Sequence, residues 1–254
     1  MLAVAQTGEL GGAEYALLRL APLLPLYGFE VEIASPAPGP LEDAAREAGI
    51  ATHRLAVGGL RARAWAGAVA ALPRARTIVR AGGFGLAWLN GTVAQRLAPG
   101  LGRTVLVPHV HDLLDRTPLP WRSRRFWSRA PIVLCDSQAV ADRSRALGAP
   151  ARALRVVHCP VAPVEPAQRP EWADGRPVVG FVGRLEPRKG PLDLLRALPA
   201  LAERVPGVRL VLVGSEGLGD AHGDVRGSAR AYAKEVRAEA ARHGERVLML
   251  AGIP

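Results

Sequence analysis

Short apolar runs alternate with longer segments of helical periodicity along almost the whole chain. The runs at 2–5, 30–34, 51–55, 87–89, 104–107, 132–135 and 154–157 have the length of strands. Between them, 13–26, 41–48 and 137–147 repeat apolar residues at helical spacing, and Ser137 stands where an N-cap hydroxyl belongs. Strands that are nearly continuously apolar and separated by helices predict a parallel sheet covered on both faces. Prolines at Pro160, Pro163, Pro166, Pro170 and Pro177 then interrupt the pattern, which predicts a linker over 159–176 between a first domain at 1–158 and a second from 177. The alternation restarts with strands at 178–182, 209–213 and 247–250 and helices at 191–204 and 229–243. A parallel-sheet domain that stops near its third strand, as 177–254 does, is expected to be partial.

Composition adds limits to this picture. With 49% hydrophobic and 22% charged residues, 254 residues have ample material for a core and do not read as disordered. No apolar run approaches the roughly 18 residues of a membrane span, and Met1–Gln6 lacks the basic start of a signal peptide. Cys135 and Cys159 are too few for a disulfide framework, so a reducing cytoplasm is the expected location.

The net charge of +10 raises the question of nucleic acid. All the basic residues except Lys189 and Lys234 are arginines, scattered among abundant Ala, Gly and Pro, a pattern of GC-rich codon usage. No nucleic-acid partner is expected. One cluster stands out: Arg122, Arg124, Arg125 and Arg129 beside Trp121, Phe126 and Trp127. It suits either anionic lipid head groups, giving a peripheral contact at the inner face of the membrane, or a solvated helix face with buried aromatics.

The densest chemistry lies in VVGFVGRLEPRKGPLDLLRAL, residues 178–198. A buried strand delivers Gly183 and Arg184 to a loop, and Lys189-Gly190 leads into a helix. Ligands of open parallel sheets bind at the carboxyl ends of the strands. There an arginine fork and a lysine point charge suit a diphosphate. Near the start, Gly11-Gly12-Ala13-Glu14 follows the first strand, where glycines permit close backbone approach and a helix N-terminus offers free N–H groups. His109-Val110-His111-Asp112 closes the fifth strand. Such a segment can signal a metal-dependent hydrolase, but the other histidines show no supporting grouping.

The string Gly183, Arg184, Leu185, Lys189, Gly190 closely resembles the donor-diphosphate loop of family 4 retaining glycosyltransferases. Gly-Gly-Ala-Glu resembles that family's first-domain loop, which reaches towards donor phosphate and acceptor. The strand ending at His111-Asp112 resembles the one whose histidine meets the donor sugar, with His109 the spare. Leu212-Val213-Gly214-Ser215 resembles the strand-glycine turn near the nucleoside. Cys135-Asp136-Ser137 resembles the family's late first-domain strand and helix, where a structural job is expected. The segment RVVHCPV departs from the pattern, with His158 and Cys159 in place of an Asn-Gly.

The resemblance implies an α/β fold of GT-B type, two Rossmann-like doubly wound domains with the second incomplete. It implies transfer of a hexosyl group from a nucleoside diphosphate sugar to a glycan or glycolipid acceptor, with retention, no metal and no cofactor beyond the donor substrate. Catalytic roles fall to His111, Arg184 and Lys189, and donor binding to Gly11, Gly12, Gly183, Arg184, Lys189 and Gly214. The paired glutamates that the family's second domain normally carries eight residues apart are missing, so the chain alone is expected to be inactive or incomplete. Two other readings stay open: a non-catalytic partner subunit of a split glycosyltransferase, and a nucleotide-sugar epimerase of the same fold.

Overall fold

The computed structural model describes residues 1–57, 65–114, 127, 130–161, 165, 171–215 and 226–251. Most of the basic and aromatic cluster at 121–129 lies outside them. The chain divides into two compact units, Met1–Pro163 and Val164–Pro254.

The first unit holds a parallel sheet of seven strands: β1 (Leu2–Ala5), β2 (Glu32–Ser35), β3 (Thr52–Arg54), β4 (Leu86–Asn90), β5 (Val105–Val110), β6 (Val133–Cys135) and β7 (Leu154–Val156). Their order, β3-β2-β1-β4-β5-β6-β7, reverses direction between β1 and β4. That reversal is the switch point at which a doubly wound sheet opens a crevice. The central strands are apolar on both faces because both are covered. Leu2, Val4, Ala87 and Leu89 pack with helix α3 (Trp65–Ala81) and the 3-10 segment Ala94–Leu101. The alternate residues Ala3, Ala5, Ile33 and Trp88 share a core with Leu17 of α1 (Gly12–Leu20) and Leu41 of α2 (Pro40–Glu47).

Three local departures from the expected elements have physical causes. The helix expected over 13–26 is α-helical only to Leu20 and continues as a 3-10 segment, Ala21–Tyr27, which contains Pro22 and Pro25. Prolines lack the N–H that α-helical bonding needs. Strand β5 runs past Pro108 to Val110, further than expected, because Pro108 has a strand partner only in β4 and β6 pairs only from His109 onward. Helix α3 carries Pro73 and an Ala/Arg-rich surface, which blunts its periodicity in sequence. Helix α4 (Gln138–Ala146) starts as expected, with the Ser137 hydroxyl accepting from the Val140 N–H at 3.3 Å.

The second unit pairs β8 (Val178–Val182), β9 (Arg209–Val213) and β10 (Val247–Leu250) in parallel, in the order β10-β9-β8. Helices α5 (Pro191–Arg204) and α6 (Arg226–Arg242) contribute Leu192, Leu195, Leu198, Ala233 and Val236 to a core with Leu210 and Leu212 of β9. Strand β8 is an edge, and alternate residues Val178 and Val182 are exposed.

Candidate functional site

In the first unit, the carboxyl ends of β1, β4, β5 and β6 gather polar side chains beside the start of α1. Gly11 is the N-cap of α1 and Glu14 the third residue of the helix. The Glu14 carboxyl folds back towards the helix start, its Oε2 3.1 Å from where a Cβ on Gly11 would sit, and the backbone there favours its ionised form. Even so, the residue is 2% exposed and its Oε1 has no hydrogen-bond partner. Burial pushes its pKa up to about 7, against the opposing pull of that backbone and of nearby His111.

The first turn of α1 is tied to the strand ends through Asn90, the last residue of β4 and fully buried. Its Nδ2 donates to the Ala13 carbonyl at 3.0 Å, and its Oδ1 lies 2.9 Å from Nε2 of His111. Nδ1 of His111 lies 2.8 Å from Oδ2 of Asp136, and the other carboxylate oxygen lies 2.9 Å from Nε2 of His109. Trp88 Nε1 donates to Nδ1 of His109 at 3.3 Å, and the two rings stack. The His158 ring, at the position that departs from the family pattern, bonds the Asp136 carbonyl at 3.1 Å.

Burial lowers the pKa of His109, so its neutral form is favoured. Burial alone would raise that of Asp136, but the hydrogen bonds from His109 and His111 outweigh it and hold the carboxyl well below the usual carboxylate range. His109, His111 and Asp136 bring ligand-type atoms within 4.8 Å of one another, close enough to consider a metal. Each carboxylate oxygen, however, sits at hydrogen-bond distance from one ring nitrogen, and the remaining ring nitrogens are engaged by Trp88 and Asn90. The arrangement is that of a closed hydrogen-bonded cluster.

The structure thus brings together Gly11, Gly12 and His111 of the expected site and places His109 deep in the fold. It also adds Asn90, Asp136, Trp88 and Glu14. Asn90 and Trp88 were not singled out in the sequence, although Asn-Gly directly after an apolar run marks a strand end. Asp136 was read as structural. Among the aromatics of the basic cluster, Trp127 is fully buried and donates to Oε1 of Gln95, which fits the buried-aromatic reading for that residue.

In the second unit, Gly183, Arg184, Lys189 and Gly214 lie at the carboxyl ends of β8 and β9 and the entry to α5. The strand ends are zipped together: Gly183 N–H donates to the Val213 carbonyl and Leu185 N–H to that of Ser215. A Cβ on Gly214 would fall 1.9 Å from the Gly183 carbonyl oxygen, so only glycine permits this approach. Glu186 lies 3.3 Å from both Arg184 and Arg188. Lys189 is exposed and makes no ion pair among the described residues. Gly190, in the left-handed region at φ 68°, turns the chain into α5.

Comparison with known proteins places this architecture. The Glycosyltransferase Family 4 model matches residues 10–165, and the Glycosyl transferases group 1 model matches 165–254. A GDP-mannose-dependent alpha-(1-6)-phosphatidylinositol monomannoside mannosyltransferase of Mycolicibacterium smegmatis is 34% identical over 142 residues, 50% of this chain and 35% of that protein. Spore coat protein SA of Bacillus subtilis is 50% identical over 46 residues, 18% of this chain and 12% of that protein. The matched stretches therefore span about a third or less of these curated relatives. Anabaena Alr3699/HepE, solved with UDP, shares the fold with a TM-score of 0.73 at 22% identity, covering 99% of this chain and 69% of that one. No described helix is long and apolar enough to cross a membrane. With its first unit matched almost end to end by the family model, the chain belongs to Glycosyltransferase Family 4.

Proposed function

We propose that the protein transfers a hexosyl group from a nucleoside diphosphate hexose to a glycan or glycolipid acceptor, with retention of configuration and without a metal ion. The observation that carries this reading is the loop after β8, where Arg184 and an exposed Lys189 flank a turn that Gly214 allows to pack backbone against backbone. Departure of a nucleoside diphosphate builds negative charge on its oxygens. A cation about 4 Å away contributes on the order of 4 kcal/mol at an effective dielectric near 20. A part of that, realised as the glycosidic bond breaks, accelerates the reaction by orders of magnitude.

The relatives support a nucleotide-sugar donor but differ in its base: HepE is known in complex with UDP-glucose, and the mannosyltransferase is named as GDP-mannose-dependent. In the first unit, Gly11 and Gly12 open α1 without side chains, so an anion or acceptor hydroxyl can approach the backbone of the helix start closely. His111 contacts the sugar, in this reading, by exchanging its bond to Asn90 for one to a sugar oxygen. Contact with the inner face of the membrane through the cluster at 121–129 completes the proposal for a lipid acceptor.

The test is kinetic, on the protein with UDP-glucose and GDP-mannose as donors. Arg184→Ala and Lys189→Ala are each expected to lower kcat about 100- to 1,000-fold with smaller changes in donor KM, as for other groups matched to transition-state charge. EDTA is expected to leave the rate unchanged, and NMR of the product to show the anomeric configuration of the donor. Loss of activity in EDTA together with near-normal kcat in Lys189→Ala would overturn the metal-free mechanism and turn attention to His109, His111 and Asp136.

A further inference from the structure

The polar cluster of the first unit can be solved for its protons. Indole Nε1 is a donor only, so Nδ1 of His109 must accept from Trp88, and the His109 proton sits on Nε2 and points at Oδ1 of Asp136. The other carboxylate oxygen then accepts from Nδ1 of His111. The orientation of the Asn90 amide is fixed from its far side: the Ala13 carbonyl can only accept, so Nδ2 faces it and Oδ1 faces Nε2 of His111. Both nitrogens of His111 therefore meet acceptors, and in this arrangement both donate. The chain of bonds runs unbroken from Trp88 through His109, Asp136, His111 and Asn90 to the first turn of α1.

We infer that Asp136 and Asn90 are positioning residues that hold the His111 ring as a two-sided hydrogen-bond donor and tie it, through Ala13, to the glycine loop. The sharing of one carboxylate between two rings is the demanding part. An amide at position 136 has one acceptor and one donor end and can serve only one of them. Asn90 keeps Nε2 of His111 occupied, so an incoming ligand oxygen accepts from that N–H only by displacing the Asn90 oxygen, and the change reaches the start of α1. His111 consequently meets a ligand as a donor, not as a base. This last step rests on the proposed role of His111 at the donor sugar; the positioning itself does not.

The experiment is NMR of the histidine ring nitrogens in the 15N-labelled chain at pH 6, with UDP-glucose and GDP-mannose as added probes. In the unsubstituted chain, His111 is expected to show both ring N–H groups, and His109 the neutral form protonated at Nε2. Asp136→Asn, which preserves volume, is expected to move the ring shifts of His111 or His109 away from these values while the chain stays folded. Asn90→Ala is expected to leave the Nδ1 signal in place, release the Nε2 proton to exchange with water and speed amide exchange in the first turn of α1. Unchanged ring shifts for both histidines in folded Asp136→Asn, or a free Nε2 in the unsubstituted chain, would overturn the inference. If the substitutions act as expected but neither donor moves the His111 signals, the positioning role stands and the reading of His111 as the sugar contact fails.

Discussion

The two glycine-containing loops of this chain are built alike and carry opposite kinds of titratable side chain. Each leaves the first strand of a parallel sheet in chain order, passes through glycine and enters a helix: Ala5 to α1 in one unit, Val182 to α5 in the other. At the first, the titratable side chain in the opening turn of the helix is an acid, Glu14, sealed at 2% exposure with one oxygen unpartnered. At the second, Arg184 and Arg188 each lie 3.3 Å from the acid Glu186, and Lys189 stands in solvent. The backbone device supplies N–H donors in both places. Two or three side chains then decide whether the loop suits a neutral, hydrogen-bonding ligand or a phosphate.

The comparison can be broken most severely at the second loop. Gly214→Ala places a methyl group 1.9 Å from the Gly183 carbonyl oxygen, and backbone cannot move aside as a side chain can. The expected loss is about 4 kcal/mol or more, enough to unfold a unit of this size. Hydrogen exchange should show β8, β9 and β10 losing protection while β1 and β4 keep theirs. Normal protection of β8–β10 in this variant would mean that the strand ends have slack.

The first loop is expected to respond to pH. The Glu14 pKa is raised from 4.5 to about 7, so the native state holds its proton more tightly than the unfolded state. Its contribution is present in full below about pH 4.5 and is lost as pH rises through 7, a change on the order of 3 kcal/mol. His109, whose pKa is lowered by burial, works in the opposite direction, losing stability as pH falls. The informative quantity is therefore the difference between Glu14→Gln and the unsubstituted chain in urea unfolding. That difference should favour the variant increasingly from pH 5 to pH 8, and a flat difference would place Glu14 among ordinary ionised carboxylates.

The smallest effect sharpens the comparison most. A Cβ at Gly12 would meet nothing within 4 Å, so Gly12→Ala should change stability by less than about 1 kcal/mol. If Gly12 is glycine to let a ligand approach, the same variant should bind nucleotide sugar or acceptor more weakly. Unchanged binding and turnover would show that this position is free of the site.

The fold was legible because its strands are short, nearly continuous apolar runs, fully buried in β1 and carried to an exposed edge in β8. Leu2–Ala5, Val178–Val182, Arg209–Val213 and Val247–Leu250 have the bounds expected from their apolar runs. What escaped was governed by less periodic signals. The prolines at 22 and 25 convert the end of the first helix to 3-10 geometry, and α3 carries Pro73 inside it. Of the candidate site, the cationic loop was legible because its residues are adjacent in sequence. The histidine cluster was legible only in part, since its chemistry depends on partners from three separate strand ends. Asn90, Asp136 and His111 are joined by the sheet order, in which β4, β5 and β6 are neighbours. Nothing in the spacing of these residues states that two rings share one carboxylate.

The contact between Gly183 and Gly214 has a mechanical side. Where two peptide groups touch directly, no rotamer can absorb a displacement, and packed protein matter compresses little. The turn after β9 and the peptide that carries Arg184 consequently form one stiff piece, braced further by the bond from Leu185 to Ser215. A molecule seated against Ser215 would push on the arginine's backbone without an intermediary. Evolution could alter the identity of what is read at that turn only by changing side chains around the glycine, while the lever that transmits the reading to the cation stays fixed.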